Sequence, residues 1–242
     1  MANTLTAGRG DSPAVCAAAQ HAVALVRPGE KVGLGSGRAS TAFIRALGEQ
    51  VRQGLCIEGV ATSNASERLA RELHIPLVEL EENTALDSVV DGADEVAPNL
   101  DLIKGWGGAL VRERIVTCAA RRQIILVSPE KLVQGLGERG RIPVEIIPFA
   151  RGYVSRRLKE LGLFPSLRLN ADGTPFISEN QNLTLDCALE KPLCDGAEAR
   201  ALEARIVQIS GVVDTGMFLG TADQVIVGQN NGSVEVLARG RG

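Results

Sequence analysis

The sequence contains three loops whose residue types could do chemistry, and the first is rich in glycine. It reads Gly33-Leu34-Gly35-Ser36-Gly37-Arg38, after an apolar segment and before a helical pattern. Backbone N–H groups in such a turn, together with a helix N-terminus, can bind an anion. A dinucleotide-binding fingerprint would need glycine where Arg38 stands, and the Gly-Lys-Ser/Thr of a P-loop does not occur. The loop is either a plain strand-to-helix turn or a phosphate site, and alone it favours phosphate only slightly.

The second loop is acidic and follows the apolar pair Val89-Val90. It reads Asp91-Gly92-Ala93-Asp94-Glu95, and like charges this close repel one another. The carboxylates could hold a metal ion, cap a helix or accept hydrogen bonds from sugar hydroxyls. Because no histidine is near, magnesium or hydroxyl groups are favoured over zinc. A solvated loop without any ligand is an equal alternative.

The third loop combines glycines with a lysine and is followed by a carboxylate. It reads Lys104-Gly105-Trp106-Gly107-Gly108, and Glu113 comes shortly after it. Glycines allow a substrate to approach the backbone, and a lysine at a strand end can neutralise negative charge that develops on oxygen. We expect Glu113 about one turn into a helix that starts at this loop, where the macrodipole favours its charged form. Alternatively, Glu113 is an ordinary N-terminal helix charge between Arg112 and Arg114.

Composition excludes several classes of function. The chain has 242 residues, and 26 Lys and Arg against 29 Asp and Glu give a formal net charge of −3. This balance and the few aromatic residues (Phe 5, Trp 1, Tyr 1) argue against nucleic-acid binding. With 2 histidines, zinc hydrolase, Ser-His and Cys-His chemistry are disfavoured, so acid–base work falls to carboxylates, lysines or the single tyrosine.

Cysteine usage and hydropathy indicate a cytoplasmic protein. The 5 cysteines form no C-x-x-C pair, and the N-terminus lacks the apolar region of a secretory signal. No apolar run reaches the roughly 18 residues of a membrane span. We therefore expect free thiols and no membrane partner.

Alternating strand-like and helical patterns must position the three loops. Hydrophobic periodicity predicts strands over residues 31–35, 57–62, 76–80, 88–91, 102–104 and 123–127. Helices are predicted over 13–27, 40–51, 65–73 and 109–121, and residues 1–12 are expected to be a loose arm. This alternation is typical of an α/β layer fold, which binds ligands at the carboxyl ends of its strands.

The pattern changes after about residue 135. There it predicts a strand over 144–147, a helix over 149–161, a hairpin turn at Asp172-Gly173, a strand over 183–187 and a helix over 197–204. This order suggests a small α+β domain of the split βαβ type. Short strands are expected between 212 and 237, with an Asn-Asn-Gly turn at 230–232. We predict a large α/β catalytic domain of residues 1–138 and 209–242, and a small α+β domain of residues 139–208.

Six segments of the sequence are similar to the motifs of one known family. They are LGSG, ATSNASERLARELHIPL, DGADEVAPNLDLIKGWGGALVRERIV, SPEKLVQGLG, PVEIIPFARGYVSRRL and GVVDTGMFLGTADQVIVG. Together they resemble ribose-5-phosphate isomerase type A, from about Pro13 to near the C-terminus. The resemblance implies a Rossmann-like large domain with a small ferredoxin-like α+β domain inserted late in the chain. It also implies interconversion of ribose 5-phosphate and ribulose 5-phosphate with no metal and no organic cofactor, in a homodimer or homotetramer.

By motif position, the resemblance gives roles to residues of all three loops. Glu113 would move a proton between C2 and C1 through an enediolate, which Lys104 would stabilise. Asp91 and Asp94 would bind sugar hydroxyls and assist ring opening or proton transfer between oxygens. These four residues are the expected catalytic set. The residues expected to bind substrate are Ser36, Gly37, Arg38, Ala39, Asp91, Gly92, Ala93, Asp94, Lys104, Gly105, Trp106, Gly107 and Lys131.

The sequence departs from the family at several substrate-binding positions. The family's first loop usually reads GTGST, but here it is GSGRA, and a lysine of the first helix falls near Val15. Trp106 stands at the second glycine of a KGGGG-type loop, and SENQN replaces TDNGN at 178–182. We therefore expect Arg38 to bind the substrate phosphate in place of the lost groups.

Three other functions remain open alongside the isomerase. A paralogue could apply the same proton transfer to a different aldose phosphate. A sugar-phosphate-binding protein without turnover is disfavoured by the intact catalytic set. A nucleotide-binding oxidoreductase is weaker still, because Arg38 breaks the fingerprint.

Overall fold

The computed structural model describes residues 12–239, which form two compact units. Unit 1 comprises residues 12–92, 119–129 and 224–238, and unit 2 comprises 93–118, 130–223 and 239. The expected arm, 1–12, lies outside the described residues apart from Ser12, whose hydroxyl caps the first helix. Within residues 12–239, no helix is both long and apolar enough to cross a membrane.

The described residues form the following elements. The helices are α1 (Pro13–Val23), α2 (Gly37–Arg52), α3 (Asn64–Glu72), α4 (Leu110–Ala119), α5 (Arg151–Glu160) and α6 (Gly196–Val207). The strands are β1 (Lys31–Leu34), β2 (Glu58–Ala61), β3 (Ser88–Gly92), β4 (Glu95–Val96), β5 (Leu102–Ile103), β6 (Gln123–Val127), β7 (Ile142–Ile146), β8 (Phe164–Leu167), β9 (Leu183–Ala188), β10 (Val212–Thr215), β11 (Met217–Phe218), β12 (Gln224–Gly228) and β13 (Val234–Ala238). Short 3-10 turns occur at Pro129–Lys131 and Pro148–Ala150.

Unit 1 contains a six-stranded sheet in the order β13-β12-β6-β3-β1-β2. All neighbouring pairs are parallel except β12 with β13. Strand β6 is buried at every residue, including Gln123, as expected for a parallel strand that is covered on both faces. Apolar side chains of α1 and α2, among them Ala22, Phe43 and Leu47, pack with β1 and β6 in one core. The sheet thereby brings the ends of β1 and β3 side by side.

Unit 2 contains a four-stranded antiparallel sheet and a small three-stranded one. The first has the order β10-β7-β9-β8, and the second the order β11-β5-β4. Strand β7 shows how its faces differ, because side chains alternate along a strand. Ile142, Val144 and Ile146 lie in the apolar core with α5 and α6, and Glu145 points to the opposite face. Polar residues of that second face support the candidate site described below.

Most predicted elements form, with ends shifted by a few residues. The first helix ends at Val23 instead of residue 27. The strand predicted over 76–80 is wrong, because Leu77 makes only an isolated bridge to Gly59. Strand β3 includes Asp91 and Gly92, and β4 was not predicted, so the acidic loop is shorter than expected.

Candidate active site

Asp91, near the end of β3, fixes the glycine-rich loop of unit 1. Its Oδ1 accepts hydrogen bonds from the Ser36 N–H at 2.9 Å, the Ser40 hydroxyl at 2.9 Å and the Gly92 N–H at 2.8 Å. The carboxylate is fully buried, and a charge in that position needs such donors. Gly35 is required here because a Cβ on it would overlap the Asp91 side chain.

Hydroxyl groups hold the rest of this loop. The Ser36 and Thr62 hydroxyl oxygens are 2.7 Å apart, and Thr62 also donates to the Leu34 carbonyl at 3.1 Å. The Ser66 hydroxyl donates to the Gly35 carbonyl at 2.5 Å. Thr62 and Ser66 belong to the segment ATSNASERLARELHIPL, but the sequence analysis gave them no role. The loop is therefore held in a fixed conformation by hydrogen bonds from β3 and from the segment that follows β2.

Gly37, Arg38 and Ala39 lie in the first turn of α2, although the sequence analysis placed them in a loop before the helix. Gly37 has φ +86°, a left-handed conformation that favours glycine. The Arg38 side chain is exposed and Ala39 is half-buried. The first-turn N–H groups of a helix attract anions, and an exposed guanidinium in the same turn can reinforce that attraction.

Lys104 and Glu113 form a buried ion pair in unit 2. The Lys104 Nζ lies 3.3 Å from Glu113 Oε2, and the two side chains are 2% and 6% exposed. Lys104 follows β5 directly, and Glu113 lies in the first turn of α4, as the sequence predicts. A positioned carboxylate can take a proton from carbon, and an adjacent ammonium can stabilise the oxyanion that results.

Two arginines beside Glu113 anchor α4. The Arg112 guanidinium donates to Asn180 Oδ1 at 3.2 Å and to Glu179 Oε2 at 2.7 Å. Arg114 donates to Asp214 Oδ2 at 2.8 Å and to the carbonyls of Thr215 and Met217. The helix turn that carries Glu113 is thus held on both sides by charged hydrogen bonds, which are stronger than neutral ones.

Asp94 lies between β3 and β4 and contacts the glycine-rich loop of unit 2. Its Oδ2 accepts the Trp106 N–H at 2.9 Å. Burial raises the pKa of Asp94 above its ordinary value, and the Trp106 N–H, Lys104, Lys131 and Arg141 reduce that rise. A carboxyl with a raised pKa is suited to hold and return a proton. Ala93 precedes it in the same connection.

Trp106 is surrounded by cations. Lys131 Nζ lies 5.6 Å from the centre of the indole ring, and the guanidinium carbons of Arg139 and Arg141 lie at 5.9 and 5.0 Å. The indole N–H donates to the Arg141 carbonyl at 3.2 Å. Of these cations the sequence analysis singled out Lys131 alone. The Trp106 ring therefore lies among three positively charged side chains, and its backbone N–H bonds to Asp94.

The other glycines of this loop differ in their surroundings. Gly105 has φ +95°, which only glycine adopts easily, and Leu110 lies against it. A Cβ on Gly107 would meet nothing within 4 Å, so that position is open to a ligand. Within residues 12–239, no group of three or more His, Cys, Asp or Glu is arranged to hold a metal ion.

Comparison with known proteins assigns the chain to a family. A model described as ribose 5-phosphate isomerase A (phosphoriboisomerase A) matches residues 58–232. The ribose-5-phosphate isomerase A of Deinococcus radiodurans is 45% identical over 222 residues, covering 90% of this chain and 95% of that protein. The enzyme of Roseiflexus sp. is 42% identical over 223 residues, covering 91% and 94%. The chain belongs to the ribose 5-phosphate isomerase A family.

Solved structures of ribose 5-phosphate isomerases share the fold. The enzyme of Methanocaldococcus jannaschii has a TM-score of 0.86 and 39% identity, covering 93% of this chain and 97% of that one. Another D-ribose-5-phosphate isomerase, in complex with phospho-erythronic acid, has a TM-score of 0.87 and 35% identity over the same shares. The mixed α/β architecture of the ribose 5-phosphate isomerase A family is therefore that of this chain.

Proposed function

We propose that this chain interconverts D-ribose 5-phosphate and D-ribulose 5-phosphate, with Glu113 as the base. The observation that carries the assignment of Glu113 is its buried pair with Lys104 at the start of α4. The activity follows from membership of the family and from relatives above 40% identity over most of the chain.

The proton transfer uses a carboxylate and an ammonium in distinct roles. The Glu113 carboxylate removes the proton from C2 of the open-chain aldose, and the C2 electrons form the double bond of an enediolate. The Lys104 ammonium, 3.3 Å from Glu113, stabilises negative charge on the enediolate oxygen. Glu113 then delivers the same proton to C1, and a second proton moves from the C2 oxygen to the C1 oxygen. Overall the substrate is rearranged, with no net gain or loss of protons or electrons.

The acids of the second loop serve the oxygen atoms of the sugar. We assign the transfer between oxygens to Asp94, because burial raises its pKa and makes protonation easier. Asp91 is assigned to sugar hydroxyls, with its Oδ1 fixed by three donors. Gly92 and Ala93 would contribute backbone contacts beside them.

Substrate phosphate is assigned to the first turn of α2, and Lys131 is kept as a residue that contributes to substrate binding. Ser36, Gly37, Arg38 and Ala39 supply N–H groups, a hydroxyl and a guanidinium around one helix N-terminus. The relative that binds phospho-erythronic acid supports a ligand that is a phosphorylated sugar acid or sugar. Gly105, Trp106 and Gly107 would line the sugar.

The finer structural assignments of the resemblance are proposed with the activity. In unit 2 the chain runs β7-α5-β8-β9-α6-β10 with sheet order β10-β7-β9-β8, which supports a ferredoxin-like small domain. The parallel sheet of unit 1 supports a Rossmann-like large domain. We keep the domain limits of 1–138 with 209–242 and 139–208, a cytoplasmic location, and a homodimer or homotetramer as proposals.

A coupled assay for ribulose 5-phosphate tests this function. We expect turnover by the native chain, and a loss of about 10²–10⁴-fold in kcat for Glu113→Gln, as for removal of a general base. The matched control is Glu198→Gln, which changes an exposed acid in the first turn of α6 and should leave kcat unchanged. Assays in EDTA check the expectation that no metal is needed.

Binding distinguishes the possible failures of this assay. Glu113→Gln should still bind phospho-erythronic acid in calorimetry, because the proposed phosphate contacts are intact. Near-native turnover in that variant would move the base to Asp91 or Asp94. No turnover of ribose 5-phosphate by the native chain, with turnover of another aldose phosphate, would favour the paralogue.

A further inference from the structure

Arg168 directly follows β8 and is buried, with 8% of its surface exposed. Its guanidinium forms a two-point ion pair with the Asp186 carboxylate on β9, with Nε 3.0 Å from Oδ2 and Nη2 bonded to Oδ1. A fork-to-fork pair of this kind fixes the plane of the guanidinium as well as its position. The direction of the remaining N–H groups is therefore set by the sheet.

Those N–H groups point at the loop that follows Lys104. Arg168 Nη1 donates to the Gly105 carbonyl at 2.8 Å and to the Trp106 carbonyl at 3.2 Å. Arg168 thus binds Gly105 and Trp106, the two residues that directly follow Lys104. No local signal reveals this, because Arg168 is more than sixty positions away along the chain.

A second residue of the same segment presses on the loop from Gly108. A Cβ on Gly108 would overlap the Phe176 ring, and the Arg168 guanidinium lies 5.7 Å from the centre of that ring. The Phe176 N–H donates to the Arg168 carbonyl at 3.0 Å. Arg168 and Phe176 therefore form one support that contacts three of the four residues from Gly105 to Gly108.

A buried ion pair is a poor explanation of stability alone. Apolar residues of similar volume at such sites are often as stabilising or more so. What an apolar pair could not supply is the two hydrogen bonds to the loop carbonyls. The arrangement at Arg168 is therefore better explained by what it holds.

We propose that Arg168, oriented by Asp186, is a positioning residue that holds the Gly105–Gly108 loop, and with it Lys104, in the geometry that isomerisation needs. The proposal rests on the function proposed above. Displacement of a reacting group by about 1 Å can reduce the rate about 10²-fold, so a support of this loop acts on kcat without contacting substrate.

The test replaces the pair with apolar residues in Arg168→Met/Asp186→Leu. This variant removes both charges of the Arg168–Asp186 pair together, and it removes the two bonds to the loop. Arg141, whose side chain is 42% exposed, also loses its 3.3 Å contact with Asp186, and the variant Arg168→Lys described below keeps that contact. We expect a cooperative thermal transition near that of the native protein, a kcat lower by about 10–100-fold and a KM within about threefold. The control Ser166→Ala removes a bond to the Asp186 carbonyl without touching the loop, and should keep native kcat.

Trp106 supplies a readout that general loosening of the sheet would not move. It is the single tryptophan of the chain and one of the two residues that Arg168 holds. Acrylamide should quench its fluorescence more strongly in Arg168→Met/Asp186→Leu than in the native protein, and equally in Ser166→Ala and the native protein. Native kcat in the double variant, or reduced kcat with native quenching, would overturn the proposal.

A third variant covers the case in which the double variant does not fold. Arg168→Lys keeps a charge for Asp186 but cannot make the two-point pair and both loop bonds at once. We expect reduced kcat and stronger quenching here too, and native values of both would reject the role. The quenching needs no substrate, so it tests the support even if the native chain proved inactive towards ribose 5-phosphate, which would reject the proposed function instead.

Discussion

Arg38 is a cation in the first turn of α2, where the helix dipole disfavours positive charge. Its exposed side chain makes sense if it meets a doubly charged phosphate. We expect Arg38→Ser to weaken kcat/KM for ribose 5-phosphate by about 1.5–3 kcal/mol, the value of a hydrogen bond to a charged group. Unphosphorylated ribose should be affected little, and comparison of the two sugars is the measurement. Equal effects on both sugars, or none, would place Arg38 outside the phosphate site.

Asp94 links burial to pH dependence. Burial raises the pKa of Asp94 in the folded state. At pH values just above the ordinary pKa of Asp, the folded protein therefore binds more protons than the unfolded chain. Stability contributed by this group therefore falls as pH rises through that window. We expect Asp94→Asn to unfold at a higher temperature than the native protein at pH 7, with the difference shrinking toward pH 4. Thermal unfolding across this range is the measurement.

Asp172 provides a control of opposite sign. Hydrogen bonds from the Thr174 side chain and N–H lower the pKa of Asp172, so its contribution to stability is present above the ordinary Asp pKa. Asp172→Asn should therefore unfold at a slightly lower temperature at pH 7. If Asp94→Asn also lost stability at pH 7, burial would not be the dominant influence on Asp94.

For single residues, the sequence indicated the candidates that stand beside distinctive motifs. It did not indicate the residues that hold those candidates in place. Lys104 and Glu113 were singled out as candidates because a glycine-rich stretch separates them, and the structure brings Lys104 Nζ within 3.3 Å of Glu113 Oε2. Arg168 directly follows β8 and Asp186 lies on β9, and neither segment has a distinctive pattern. Contacts between residues distant in sequence depend on register and strand order, which a single sequence does not state.

Among the elements, the segment Ser178–Asn182 shows how a loop supports the start of α4. The buried Glu145 carboxylate of β7 accepts hydrogen bonds from the Ser178 hydroxyl and the Asn182 amide at 2.8 and 2.9 Å. The segment in turn offers Glu179 and Asn180 to Arg112. A strand, a loop and a helix are therefore connected by polar contacts beside Glu113.

This segment carries a backbone strain at Gln181, the position at which the resemblance leads us to expect glycine. Gln181 has φ +64°, a left-handed conformation that costs a non-glycine residue about 1–2 kcal/mol. Glycine would remove this strain, while its freer unfolded chain takes back about 0.4–1 kcal/mol. We expect Gln181→Gly to unfold at higher denaturant than Gln181→Ala, which keeps the strain. Equal midpoints in urea for the two variants would mean that the conformation is not strained.

Element prediction succeeded where burial on both faces left a clear signal. Strand β6 has the predicted bounds because four consecutive apolar residues follow Gln123 and end at the polar residue Ser128. The segment at 76–80 was mistaken for a strand because Leu77 and Val78 are apolar, yet its contact with β2 is limited to one bridge at Gly59. Pairing partners decide whether an apolar run becomes a strand, and they lie elsewhere in the sequence.

For the whole molecule, the predicted homo-oligomer has a candidate contact in unit 2. Phe149 is 99% exposed, and Ile147, Tyr153 and Val213 are 44%, 46% and 40% exposed. Ile147 and Val213 directly follow Ile146 and Val212, at which β7 pairs with β10. Tyr153 follows Phe149 by about one helical turn, so we expect the four side chains to lie on one surface. Clustered apolar side chains of this kind mark protein contacts.

The last prediction is that self-association buries Phe149. Burial of a phenylalanine contributes about 1.5–3 kcal/mol, so Phe149→Ser should raise the dissociation constant of the oligomer at least tenfold for each buried copy, since about 1.4 kcal/mol is a factor of ten. Light scattering coupled to gel filtration over a dilution series measures this. Phe164→Ser is the control, because Phe164 is 60% exposed on β8 and outside the cluster. A monomeric native chain would refute self-association. Equal dissociation constants in both variants would place the interface elsewhere, because an apolar cluster drives association only where the partner removes it from water.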